Sequence, residues 1–267
     1  MKIYKNLNIK KIHKKSVVAI GNFDGIHSGH KKVLEQARQK AKKKRLKFGL
    51  ITFEPIPTMF FNSNIKHHRI NSLDQKILYL KKIDLDFLVI IKFDKKFSNY
   101  SAEEFIKKII FNKLACKTLF VSKNFKFGKK RSGNVNTLKK FEIKYFYKTM
   151  ITVPYKKNNK VISSTLIRKK IQTGNIIDAN KLLGREWSVI GKVKKGNQRG
   201  RLIGFPTCNL TLGNHVLPKL GVYSVSVEFK SFTKQGIANI GYRPTFSGKT
   251  IVLEVNIFGI NKNLYNK

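Results

Sequence analysis

Residues 16–30 read SVVAIGNFDGIHSGH, a compact apolar run that ends in glycine and asparagine and gives way to a glycine-punctuated turn. The run Ser16 to Phe23 has the length and composition of a buried strand. From His30 the segment HKKVLEQARQKAKKK places Val33, Leu34, Ala37 and Ala41 at helical spacing, with charge on the other positions. Strand, tight turn and helix therefore follow one another directly. Downstream, Phe48 to Phe53 (FGLITF) is a second strand, and FLVII and TLFV are two more short buried ones. Ser72 with Gln75, and Ser101 with Glu104, stand at capping-box spacing and open amphipathic helices between them. Four strands alternating with three helices predict an α/β domain with a parallel sheet, whose ligands bind at the carboxyl ends of the strands.

Beyond residue 140 the pattern changes. Ser163 to Gln172 and Asn175 to Leu183 read as two short helices, the second closed by Gly184. From Trp187 the helical period is gone, and SVIGKVKKG, GVYSVSVEF, QGIANIGY and TIVLEVNIF alternate between turns containing Gly, Pro and Asn. These segments predict a small all-β barrel or an incomplete one. The expected organisation is thus a first domain over 1–184 and a second over 185–267.

The net charge is +42, which ordinarily suggests nucleic acid. Here Lys outnumbers Arg 47 to 9, Asn and Ile are also abundant, and the lysines are spread along the whole chain. All three residue types have A/T-rich codons, so a biased genome accounts for the charge, and only weak, non-specific polyanion binding is expected. No apolar run approaches the length of a membrane span; the longest is Phe87 to Ile91. The N-terminus carries positive charge without an apolar segment behind it, unlike a secretion signal. Two cysteines, Cys116 and Cys208, make no disulfide framework and fit a reducing cytoplasm.

The chemistry concentrates in GNFDGIHSGH. Gly21, Gly25 and Gly29 let the backbone approach a ligand closely, with Asn22, Phe23 and Asp24 in the same turn. The helix that follows offers free N–H groups and its positive dipole end to phosphate. His27 and His30 add two imidazole donors where a triphosphate would lie, and such donors stabilise charge developing in a transition state. The plainer alternative is a Gly-rich turn with two incidental histidines. Metal binding is a weaker one, because the surrounding sequence offers no third ligand for a zinc site.

GNFDGIHSGH, TFEPIP (Thr52 to Pro57), NFKFGKKRSGN (Asn124 to Asn134) and ISSTLIR (Ile162 to Arg168) together resemble the FMN adenylyltransferase domain of the prokaryotic bifunctional riboflavin kinase/FAD synthetases. GRLIGFPTCNL (Gly200 to Leu210), LPKLGVY (Leu217 to Tyr223) and NIGYRPTF (Asn239 to Phe246) continue the resemblance into the kinase domain, in the family's order. The resemblance implies a Rossmann-like nucleotidyltransferase domain followed by a riboflavin kinase-type β domain. It implies ATP with Mg²⁺, FMN and riboflavin as substrates, and FAD as product. ATP is then held by Gly21 to Gly25, His27, Gly29, His30, Ser163, Ser164, Thr165 and Arg168. Of these, His27, His30 and Arg168 are catalytic. Hydroxyls and N–H groups at the start of the Ser163 helix suit phosphate, and Arg168 suits the leaving pyrophosphate. Asn124 and Phe125 resemble the family's flavin contact, and Thr207 and Asn209 its Mg·ATP ligands in the kinase domain.

Two departures bear on activity. The family has a histidine where Ile56 stands, so Ile56→His is expected to improve adenylyl transfer. The family's kinase domain also continues beyond the Asn-Leu-Tyr found at 263–265, into an Arg-x-Glu whose Glu is the base for riboflavin. A chain ending at Lys267, with Glu228 and Glu254 as the only acids after Ser188, is expected to phosphorylate riboflavin slowly or not at all. Three activities stay in competition: a bifunctional enzyme, an FAD synthase with a non-catalytic β module, and a basic nucleic-acid-binding protein on a nucleotidyltransferase fold.

Overall fold

The computed structural model describes residues 1–157, 160–195, 204–229, 232–245, 248–260 and 264–266. These form two compact units: residues 1–66, 73–164 and 182–184, and residues 67–72, 165–181 and 185–267.

The first unit is built on a six-stranded sheet of β1 (Lys2–Tyr4), β2 (Val17–Ile20), β3 (Phe48–Glu54), β4 (Phe87–Lys92), β5 (Thr118–Ser122) and β6 (Lys148–Thr152). Their order is β1-β4-β3-β2-β5-β6, and every pairing is parallel. Two strands beyond the four read from sequence thus extend the sheet at its edges. Both are short and carry lysine, which hides them from an apolar-run criterion.

Alternation along each strand divides the apolar residues between two cores. Val18, Ile20, Ile51, Val89, Leu119 and Val121 join one. Val17, Ala19, Leu50, Leu88, Ile90 and Phe120 join the other. Helices α1 (Ser28–Lys43), α2 (Pro57–Phe61) and α3 (Leu73–Lys81) follow β2 and β3. Leu34, Ala37 and Ala41 of α1 and Leu80 of α3 fill the second core. After β4 come α4 (Lys95–Ser98) and α5 (Ala102–Phe105), the latter running on as a π-helix over Ile106–Lys113. The Ser101–Glu104 capping box opens α5 with both reciprocal bonds present. Helix α6 (Val135–Lys140) lies between β5 and β6 and gives Val135 and Leu138 to the first core.

Both cysteines are free thiols. Cys116 is wholly enclosed, and burial pushes its thiol up to about 12. The folded chain is therefore expected to leave Cys116 unmodified by a thiol reagent at pH 8, with reaction following only on unfolding. Titration with Ellman's reagent with and without denaturant checks this.

After a two-stranded ribbon of β7 (Lys156–Lys157) and β8 (Lys160–Val161), the chain enters α7 (Ser164–Gln172) and α8 (Ile176–Leu183). In the second unit, β9 (Thr207–Leu210), β10 (Gly221–Phe229), β11 (Phe232–Thr245) and β12 (Gly248–Ile257) form an antiparallel sheet ordered β10-β11-β12-β9. Among the described residues this sheet does not close, in keeping with the incomplete barrel that the sequence allows. The expected strand at 188–196 is also absent over 188–195. That stretch meets the sheet only at an isolated bridge between Lys194 and Asn209, and Gly196 lies outside the described residues. One face of the sheet, with Cys208, Leu210, Ala238, Ile240, Leu253, Val255 and Ile257, packs a third core.

Candidate functional site

The chain leaves β2 for β3 on one side and returns to β5 on the other. The carboxyl ends of β2 and β5 are thus the topological switch point, where a parallel sheet opens a crevice. Residues 21–30 follow β2, and Asn124 and Phe125 follow β5. Both sequence-predicted groups thus follow the carboxyl ends of adjacent strands.

The turn after β2 is strained. Phe23 and Ile26 have φ of 46° and 40°, in the left-handed region that disfavours side chains with a Cβ, and Gly25 sits at 89°. Phe23, Asp24, Gly25 and Ile26 are all buried, while the Asn22 side chain is exposed. The Asn22 carbonyl accepts hydrogen bonds from the Thr52 hydroxyl at 3.1 Å and from Lys76 Nζ at 2.8 Å. The Asp24 carbonyl accepts from the Ser164 hydroxyl at 2.8 Å, which ties the turn to the start of α7.

His27 caps α1. Its Nδ1 accepts from the His30 backbone N–H at 3.3 Å, so the helix opens at Ser28, two residues before the apolar period becomes visible. A neutral His27 then carries its proton on Nε2, which becomes its donor. The rings of His27 and His30 stack with centroids 3.7 Å apart, and His30 also meets Phe23 at 5.1 Å. A Cβ on Gly29 would stand 3.2 Å from the His27 ring and 3.4 Å from the Ile162 carbonyl. Glycine there lets the His27 ring and residue 162 approach the helix start. The two imidazoles thus lie together at the positive end of α1, an arrangement suited to a polyphosphate.

Ser163 precedes α7 and Ser164 begins it, as expected from the motif. Thr165 and Arg168 belong to the second unit, where Arg168 Nε donates to the His68 carbonyl at 2.7 Å. Asn124 is exposed, and Phe125 is half-buried against Phe127, the rings stacked 5.4 Å apart at 18°.

Ile56 is fully buried at the start of α2. An imidazole there has to be buried too, so the gain expected for Ile56→His gives way to a cost. We expect the substitution to lower stability by about 1–3 kcal/mol and to leave KM for ATP no better. The urea midpoint and steady-state kinetics measure both.

On β9, Cys208 and Leu210 face the core, so Thr207 and Asn209 lie on the opposite face. In register across β12, Asn209 faces Glu254 and Thr207 faces Asn256, while Asn239 of β11 flanks Glu254 on its other side. Hydroxyl, amide and carboxylate oxygens thereby share one polar face. The sequence names Glu254 as one of two late acids but not its neighbours, because its cross-strand partner Asn209 lies 45 positions away and only the register joins them. Residues 200–203, Phe246 and Asn263 of the family motifs lie outside the described residues.

Comparison with known proteins agrees along the length of the chain. A family model described as FAD synthetase matches residues 9–166, and one described as riboflavin kinase matches 183–267. A Buchnera aphidicola (subsp. Schizaphis graminum) protein described as a bifunctional riboflavin kinase/FMN adenylyltransferase is 41% identical, over 100% of this chain and 87% of that one. Proteins of the same description from Haemophilus influenzae and Escherichia coli K12 are 36% and 34% identical. The alignments cover 97% and 94% of this chain, and 85% and 80% of those proteins. A solved structure from Streptococcus pneumoniae, described as a macrolide-efflux protein, has a TM-score of 0.85 at 31% identity, covering 99% of this chain and 86% of that one. Among the described residues, no helix is long and apolar enough to cross a membrane.

Proposed function

The chain belongs to the bifunctional riboflavin kinase/FMN adenylyltransferase family, and from this we propose that it makes FAD from FMN and ATP in its first domain and FMN from riboflavin in its second. We assign these domains to residues 1–184 and 185–267 and the reactions to the cytoplasm. The observation that carries the first activity is the stacked His27–His30 pair, seated on the helix start at the switch point of a parallel sheet.

In the first reaction an oxygen of the FMN phosphate attacks the α-phosphorus of Mg·ATP. A new P–O bond forms, the bond to the β-phosphate bridging oxygen breaks, and pyrophosphate leaves with the electron pair. The attacking phosphate is already ionised, so positioning and electrostatics carry the step. Gly21, Asn22, Phe23, Asp24, Gly25 and Gly29 offer backbone to the nucleotide, and His27 and His30 donate to its phosphates. We assign Ser163, Ser164, Thr165 and Arg168 to ATP as well, on the ISSTLIR motif alone. Asn124 and Phe125 contact the flavin.

In the second reaction the riboflavin hydroxyl attacks the γ-phosphorus of Mg·ATP, its proton passes to a base, and ADP leaves. We assign that base to Glu254, on the strength of its register opposite Asn209. The hydroxyl of Thr207 and the amide oxygen of Asn209 are hard oxygen donors of the kind Mg²⁺ accepts alongside nucleotide phosphates. Bound there, the ion would neutralise phosphate charge.

The test supplies FMN or riboflavin separately to the purified chain with ATP and Mg²⁺, followed by separation of the flavins. FAD and pyrophosphate are expected from the first and FMN from the second. A salt-dependent gel shift on nucleic acid without flavin turnover would overturn the reading.

A further inference from the structure

We propose that Lys76 is a positioning residue for adenylyl transfer, holding the strained turn 21–27 in its nucleotide-binding shape by latching the carbonyl of Asn22. The inference rests on the reading above that this turn binds ATP.

Lys76 is fully buried in α3, a rare setting for a lysine unless its amino group is partnered. The partners are informative. Nζ donates to the Asn22 carbonyl at 2.8 Å and reaches Thr52 Oγ1 at 3.3 Å, while that hydroxyl donates to the same carbonyl at 3.1 Å. Lysine, threonine and carbonyl form a closed triangle joining α3, the end of β3 and the turn. Asn22 immediately precedes Phe23, the first residue of the turn with positive φ. The carbonyl held by Lys76 belongs to the peptide plane that sets this φ. Released, Phe23 and Ile26 gain by relaxing to negative φ. Such a move displaces Asp24 and His27, and with them the Ser164–Asp24 bond and the His27 cap on α1.

A lysine that only filled the core would be replaceable by a side chain of equal length, whereas a latch would not. Lys76→Met keeps the volume and removes the donor. Expected is a fall of roughly 10²-fold in kcat for FAD formation, the scale for a small misplacement of reacting groups, with KM for FMN little changed. Hydrogen exchange is expected to speed up across residues 21–27 of the ligand-free chain and to stay slow in β2 and β3. Thr52→Val removes the bridging hydroxyl, with an expected drop of roughly tenfold, and Thr52→Ser recovers most of that loss. The Lys76→Met and Thr52→Val effects should also combine non-additively, because both act on one carbonyl.

If Lys76→Met does not fold, the Thr52 pair decides alone. Thr52→Val within twofold of the parent, with unchanged exchange at 21–27, overturns the latch. So does Lys76→Met with FAD formation within threefold of the parent. A parent chain that makes no FAD defeats the functional reading itself. A parent that makes FAD, loses it on His30→Ala and keeps it on Lys76→Met defeats the latch alone.

Discussion

His30→Ala is expected to lower kcat/KM for FMN adenylylation by roughly 10²-fold or more, the scale for losing one preorganised electrostatic donor. His30 stands in the first turn of α1, with its ring stacked on His27 and against Phe23. Alanine keeps the backbone N–H that His27 caps, so α1 still starts where it does. What disappears is the imidazole and the face that holds the His27 ring in place. Stability should change little, since His30 is only partly buried, and riboflavin phosphorylation should be untouched. Turnover within a few-fold of the parent would remove the pair from the mechanism.

The second large effect is expected at Glu254. A riboflavin hydroxyl, unlike an FMN phosphate, must shed a proton as it attacks, and a positioned base contributes about 10²- to 10⁴-fold. Glu254→Gln keeps the size and hydrogen-bonding capacity of the side chain and abolishes its basicity. Riboflavin phosphorylation should therefore fall by that range while FAD synthesis from FMN persists. The contrast between the two activities in one sample separates a lost base from a damaged fold. Unchanged FMN production from riboflavin would move the base elsewhere.

The central strands of the first domain were legible because their residues are apolar on both faces, as in Val17–Ile20 and Phe87–Ile91, which marks strands buried between helix layers. The edge strands β1 and β6 were not, because a three-residue KIY and a KTMIT lack that continuity. The turn after β2 could be read from glycine spacing, but its conformation could not. Nothing local says that Phe23 and Ile26 accept positive φ; the bonds that Thr52, Lys76 and Ser164 give to the turn's carbonyls come from distant parts of the chain. Lys76 occupies a position that its spacing from Leu73, Leu80 and Ile83 marks as core, a signal lost in a chain of 47 lysines. Glu254 was counted among the acids, but its place beside Asn209 could not be read, since antiparallel register is set by the whole sheet.

The two compact units do not follow one another along the chain, and this matters during synthesis. Residues 67–72 emerge early yet belong to the later unit, where the Ile70 carbonyl accepts from the Trp187 indole 117 residues further on. At the usual pace of the ribosome that partner arrives roughly 6–23 s later. Until then the segment waits without Trp187, and the first unit must assemble around an insert it does not keep. Cutting the gene at codon 184 would make the same separation permanent. The amino-terminal piece would carry Arg69 and Asn71 away from Val216 and Arg185, to which they are bonded in the whole chain.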